Sequence, residues 1–420
     1  MNRIQNNHRR KKNNPEYPVN PVPKTRRLVP LLLDWFAANA RDLPWRRTRD
    51  AYAIWVSEIM LQQTQVKTVI PYWERWMREL PTIEAVAKAS PAKIHKLWEG
   101  LGYYTRVRNL QKAAKLITQS GKRKAESGIF VCRFPQNHDD VLALPGIGPY
   151  TAGAICSIAF NQPTPILDGN VIRVLTRVFG IAENPKERKT TAQLWQIAED
   201  LVSCAKGTKG KSPSQTSRPS HENNSCSHLN QSLMELGALV CTPRNPQCRI
   251  CPVKKLCVAF LEDRADELPN FGKRKISTAR RFFAFIIERN GKFLIRQRPA
   301  GVVNAYLWEF PNVEVNGANP KAGDVFKSQF GIPPLELAPM AVVKHSITCY
   351  RITLEAFRVR SKETSATFSN QPESGSEGAT PRHTVSKTGG VWRTARQMRR
   401  LPFTAAHRRL FQTLMVATGR

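Results

Sequence analysis

The chain of 420 residues has no apolar run near the roughly 18 to 20 residues that cross a bilayer, which excludes a helical membrane function. The nearest imitation is LVPLLLDWFAANA at 28–40. Asp34 interrupts it, and Leu28, Leu31, Leu32, Trp35 and Phe36 share one helix face, so a core helix is expected there and not a leader. Acidic side chains are scarce: 32 Asp and Glu face 65 Lys and Arg, a formal charge of +33. That field favours a polyanion, nucleic acid first, although a basic chain can also be merely soluble or adhere to membranes. Nine cysteines cannot pair evenly, and Cys132, Cys156, Cys204, Cys226 and Cys349 are scattered. A disulfide framework is therefore excluded in favour of a metal site in a reducing compartment. No internal repeat is found.

What is present is enough apolar residues, 41%, to bury the cores of two to three domains. Residues 1–27 are rich in Asn, Pro, Lys and Arg without apolar period, and a disordered basic arm is expected. From Leu28 to about 260 the spacing is helical: Thr82 and Ser90 suit N-caps, Pro91 a first helical position, and Val107, Leu110, Ala114 and Ile117 one buried face. Polar stretches near 119–132 and 206–228 interrupt it, the second reading as a mobile loop. After a linker at 261–279 the period shortens. RRFFAFIIERNGKFLIRQR reads as two strands about an Asn290-Gly291 turn, opening an α/β domain over 280–420. RITLEAFRV is a further strand, 361–390 a flexible insertion and TAAHRRLFQTL a closing helix.

Three segments carry chemistry. Cys241, Cys248, Cys251 and Cys257, separated by six, two and five residues, can enclose one ion or cluster, and the cysteines alone leave zinc and iron-sulfur equally open. Arg244, Arg249, Lys254 and Lys255 around them could meet phosphates or simply be solvated. In LPGIGPYTAGAI, Gly146 and Gly148 permit a tight turn that offers backbone N–H groups to a phosphate, or a plain inter-helix turn. Asp168 precedes the apolar face Val171, Val174, Leu175 and Val178 and suits an N-cap. The helix start and Arg173 would favour its ionised form. Glu58 lies between Val56 and Ile59, where low dielectric would keep a carboxyl protonated for general-acid work.

The spacing of the four cysteines resembles the [4Fe-4S] cluster loop of the endonuclease III and MutY superfamily of DNA glycosylases, and LPGIGPYTAGAI followed by PILDGNVIRVLTRVFG resembles their helix-hairpin-helix segment. WVSEIMLQQTQV and RDLPWR are closely similar to the MutY family. The resemblance implies a mainly α helix-hairpin-helix glycosylase domain at 28–260 with a [4Fe-4S] loop at 241–257, and a C-terminal α/β NUDIX-like 8-oxoguanine recognition domain. It assigns Glu58 to adenine protonation and Asp168 to sugar stabilisation, with Tyr150 and Asn170 flanking. Leu43, Trp45 and Arg46 fall in the base pocket, and Gln63, Thr64 and Tyr103 at the base stack. YLWEFPNVEV and HSITCYRITLEAF carry the NUDIX-like likeness, with two departures. The acidic residues of a NUDIX metal box are missing after Phe310, so pyrophosphate hydrolysis is not expected. Where the family often has Phe-Ser-His, this chain has Ile347, Thr348 and Cys349, of which Thr348 can replace the serine hydroxyl.

The expected activity is hydrolysis of the N-glycosidic bond of adenine mispaired with 8-oxoguanine or guanine in duplex DNA, by an intracellular monomer in cytoplasm, nucleoid or nucleus. Two rivals stand beside it. An endonuclease III-like lyase would use a lysine where this chain has Tyr150, and a non-catalytic DNA-binding or redox-sensing protein would not need both carboxylates.

Overall fold

The computed structural model describes residues 22–124, 133–206, 224–272, 277–317, 320–347, 349–360 and 390–417. Helices run α1 Val22–Asn39, α2 Ala51–Leu61, α3 Val66–Glu79, α4 Ile83–Lys88, α5 Pro91–Leu97, α6 Thr105–Lys124, α7 His138–Leu142, α8 Pro149–Phe160, α9 Gly169–Phe179, α10 Arg188–Lys206, α11 Ser225–Leu239 and α12 Val258–Leu261. Then follow β1 Thr278–Arg289, β2 Lys292–Gln297, β3 Trp308–Glu309, β4 Asn312–Val315, α13 Ala322–Phe330, β5 Glu336–Ile347, β6 Tyr350–Arg360, β7 Val391–Thr394, α14 Ala395–Met398 and α15 Ala405–Ala417.

The boundaries follow local chemistry. The Thr82 and Ser90 side chains accept from Ala85 N and Lys93 N, capping α4 and α5, and Pro91 opens α5. Helix α1 begins inside the stretch read as a basic arm, because Thr25 is buried and its hydroxyl meets Cys204 Sγ. The arm is thus corrected at its end, and residues 1–21 lie outside those described. Leu31, read into the buried face of α1, is exposed, and Val29 takes its place beside Leu28, Leu32 and Phe36. Most of the insertions at 206–228 and 361–390, and Thr348, also lie outside the described residues.

Two compact units form: Met1–Asp42 with Pro149–Gly272, and Leu43–Gly148 with Lys273–Arg420. In the first, one face each of α1, α9, α10 and α11 meets in a shared core containing Leu32, Val174, Leu201 and Leu233. In the second, β1 alternates: Ala284 and Ile286 face a core with Leu410 and Leu414 of α15, while Phe283, Phe285 and Ile287 face one with Phe326 and Phe330 of α13. The sheet has helices on both faces and the order β3-β2-β1-β6-β5, with β4 paired to β1 and β7 to β2. Asn290 and Gly291 both have positive φ, 48° and 70°, and make the β1–β2 turn expected from sequence.

The sequence shows a change of period near 260–280, yet the contacts divide the helical region itself. Glu99 explains part of this. Its buried carboxylate pairs with Lys96 Nζ at 2.7 Å and with Arg408, and accepts from Phe403 N at 3.0 Å. Lys96 Nζ also donates to Arg399 O at 2.8 Å, so this helical segment is bonded to the C-terminal sheet domain.

Candidate active site

Helix α9 starts where Asp168, extended at φ −101°, turns its side chain back to accept from Val171 N at 2.7 Å. The other carboxylate oxygen accepts from Asn170 Nδ2 at 3.1 Å. Asn170 Oδ1 in turn accepts from Arg173 Nη2 at 2.8 Å. Arg173 is buried and donates further to Gly237 O at 2.6 Å and Cys241 O at 2.7 Å. Helix α11 can approach because position 237 is glycine: a Cβ there would lie 2.7 Å from Asn170 Cβ.

Sequence reasoning expects the helix start and Arg173 to keep Asp168 ionised. The Val171 and Asn170 hydrogen bonds and Arg173 do favour the anion, but burial outweighs them and pushes the pKa up. Tyr150, on α8 in the same unit, donates its hydroxyl to Met234 Sδ at 3.3 Å, a weak acceptor.

In the second unit every residue of α2 from Ala51 to Met60 is buried, and Glu58 is the one charged side chain among them, 5% exposed. Leu43 and Trp45 are buried, with Trp45 edge-on to Trp73 at 6.0 Å, and Arg46 is half-buried. Gln63 and Tyr103 are exposed, and both have left-handed backbone, φ 58° and 48°. Thr64 is half-buried, its hydroxyl donating to Gln62 O at 3.4 Å. Gly146 is a true turn glycine: φ is 80° and a Cβ would meet Asn109 Cβ at 2.6 Å. Gly148 is exposed just before α8.

Cys241, Cys248, Cys251 and Cys257 line one cavity, together with Val174, Val178, Leu236, Val240, Val253 and Phe260. Burial raises the thiol pKa at Cys248, Cys251 and Cys257, to about 12 at Cys251, and the neighbouring cysteines raise each further. Arg177 reaches this group, its Nη1 donating to Cys241 Sγ at 3.4 Å and Thr242 O at 2.7 Å. Arg244, Arg249 and Lys255 are exposed, and Lys254 donates to Arg249 O at 2.6 Å.

Sequence reading missed Arg177, Glu235 and Gly237 and took only the charge of Arg173. The signal was present in RVLTRV: two arginines four apart, on a helix rich in buried apolar residues, need internal acceptors. Glu235, 1% exposed, holds Arg41 through Nη2 at 2.7 Å, Nε at 2.8 Å and the main-chain N at 3.0 Å.

Residues 56–200 match the family model of the HhH-GPD superfamily of base excision DNA repair proteins, and residues 283–413 match a NUDIX domain. An adenine DNA glycosylase of Rattus norvegicus is 34% identical over 437 residues, covering 91% of this chain and 76% of the rat protein. One from Buchnera aphidicola (Schizaphis graminum) is 35% identical, covering 68% of this chain and 74% of its own. The chain belongs to the adenine DNA glycosylase family. The Arabidopsis thaliana member is 38% identical over 325 residues, and this chain spans about half of it, 47%.

Within this glycosylase the C-terminal sheet domain has the NUDIX fold, and its buried Glu309 is engaged in structure, held by Arg296 at 2.9 Å and by Arg298. At the β5–β6 turn Cys349 is exposed. His345 is half-buried, and its Nδ1 has no hydrogen-bond partner among the described residues. Among the described residues no three His, Cys, Asp or Glu side chains meet around one point as a single ion would require. No described helix is long and apolar enough to cross a membrane.

Proposed function

We propose that this protein hydrolyses the N-glycosidic bond of adenine mispaired with 8-oxoguanine, or with guanine, in duplex DNA. The observation that carries the reading is Asp168, fixed at the start of α9 with Val171 N on one oxygen and Asn170 on the other. Both oxygens are tethered, so the carboxylate presents its charge at a set place, as an oxocarbenium-like sugar requires.

Excision begins by everting the adenine, at a cost of a few kcal/mol that is lower for a mispair. Glu58, enclosed in α2, holds a proton for N7 of the base and turns adenine into a better leaving group. Asp168 then balances the cationic sugar, and water completes hydrolysis. Tyr150 stands where a lyase would carry its lysine, and a phenol forms no Schiff base, so the product is an intact strand with an abasic site. The C-terminal domain reads 8-oxoguanine, and the exposed Arg244, Arg249 and Lys255 meet phosphates. The protein acts as a monomer.

The cysteine cavity fits a [4Fe-4S] cluster: one buried and three half-buried thiols that repel one another as anions line a pocket with an arginine donating to one sulfur. Cys241, Cys248, Cys251 and Cys257 would hold it, and bound there it would tie the four ends of the loop together through its thiolates.

Single-turnover excision from duplexes holding adenine opposite 8-oxoguanine tests the reading. The wild-type protein should release adenine, whereas Glu58→Gln should bind the same duplex and release none, because an amide keeps the shape without the proton. Near wild-type release by that variant would remove Glu58 from the chemistry.

A further inference from the structure

Gln63 and Tyr103 share a peculiarity that chain position does not explain. Each is a non-glycine residue held at positive φ, and each lies in a loop contacted by the same side chain, Arg106, through the carbonyl just before it. One guanidinium collects main-chain oxygens from both loops. Nη1 donates to Ile59 O at 2.9 Å, Met60 O at 3.2 Å and Gln62 O, and Nη2 to Leu101 O at 3.0 Å and Gly102 O at 3.1 Å.

We propose that Arg106 is a positioning residue, which locks the Gln63 and Tyr103 loops into the conformation that enters the base stack. It deepens the reading that these two residues wedge the duplex, and rests on it.

The last carbonyls of α2 have no partner within the helix and attract a cation, so an arginine that merely capped α2 would be unremarkable. Such a cap would bond to Ile59, Met60 and Gln62 alone. Here the second arm of the rigid fork crosses to Leu101 and Gly102, which fixes the spacing of the two loops. The same guanidinium lies 5.5 Å from the centre of the Tyr103 ring and 5.4 Å from that of Trp98, so ring and loop are held together. Arg106 Nε is buried with no hydrogen-bond partner among the described residues, a penalty that a solvated arginine would avoid. Burial lowers the pKa to about 10, which leaves the cation intact at neutral pH.

Non-glycine residues stay at positive φ when their surroundings over-determine them, and here the four N–H groups of Nη1 and Nη2, one of them shared, reach five carbonyls from one planar group. The wedge is then ordered before DNA arrives, and no ordering of two loops slows base eversion.

Arg106→Lys and Arg106→Met in the full chain test this. Lysine keeps the cation and stem but lacks the fork, so it should fold even where methionine does not. Two readouts are compared: the fluorescence of 2-aminopurine beside the target adenine, which reports unstacking, and single-turnover excision. Excision is measured with adenine opposite 8-oxoguanine in an intact stack, and with adenine opposite a gap, where the stack is already open. Unstacking and excision in the intact duplex should slow about tenfold or more, and excision opposite the gap by less than about threefold. Equal losses on both duplexes, or no loss with lysine, would overturn the role. Gln63→Ala and Tyr103→Ala run beside them. If these leave unstacking unchanged, the wedge reading fails and the role of Arg106 with it. If they slow it while Arg106→Lys does not, the wedge stands and Arg106 alone is discarded.

Discussion

Arg173 Nε donates to the backbone oxygen of Cys241 at 2.7 Å, so one buried guanidinium joins the cysteine loop to Asn170 and, through it, to Asp168. A lysine here would keep the charge but cannot reach Cys241 O, Gly237 O and Asn170 at once. Arg173→Lys is expected to slow excision at least about tenfold and to leave acceptors buried without donors, at about 1–3 kcal/mol of stability. Single-turnover rates and thermal melts check both. Wild-type excision together with an unshifted melt would show that the bridge carries no weight.

The raised pKa of Asp168 fixes a pH dependence. In the proposed mechanism the charged form does the work, so excision should climb with pH as the carboxyl ionises, on a limb displaced upward from the ordinary carboxylate range. Asn170→Ala removes a bond that favours the anion, and the limb should move further up. A limb at the ordinary carboxylate position in the wild type, or a downward move in the variant, would contradict this assignment.

Gly237→Ala is a compact test of the same frame. The new methyl would sit 2.7 Å from Asn170 Cβ, between two packed elements, and overpacking of this kind costs about 1–3 kcal/mol. We expect a lower melting temperature and slower excision with affinity for undamaged duplex unchanged. Unaltered kinetics would mean that Asn170 tolerates displacement.

Tyr150→Lys asks what the residue after the hairpin decides. The wild type should leave strands that break only in hot alkali, and the lysine variant should begin to nick in neutral buffer, since an amine can attack the sugar carbon. Gel analysis of both, with and without alkali, checks this, and wild-type nicking in step with base release would contradict the monofunctional reading.

Much of this was legible in the sequence because it rests on local rules. The N-cap at Asp168 and the turn at Asn290-Gly291 each depend on neighbours within a few positions. The four-cysteine spacing was legible for the same reason. The pKa direction of Asp168 was not, because desolvation is set by what packs over the carboxyl and sequence shows only the nearby Arg173. Nor were the carbonyls of Ile59, Met60 and Gln62 as acceptors for Arg106, or those of Gly237 and Cys241 for Arg173, which are main-chain oxygens supplied by distant segments and so leave no residue-type signature. The start of α1 was missed because the burial of Thr25 depends on Cys204, far along the chain.

The first unit is assembled from the two sides of the second's helical segment, Met1–Asp42 and Pro149–Gly272. On a ribosome this ordering has a consequence for nascent protein. Helix α1 emerges early, and its apolar residues Leu28, Val29 and Leu32 belong to a core completed by α10 and α11, which are made much later. During that interval the helix presents a greasy stripe with no native partner, and contacts so distant in sequence form slowly. That stripe stays uncovered until α11 has cleared the exit tunnel, and a translational pause placed before that point would lengthen its exposure.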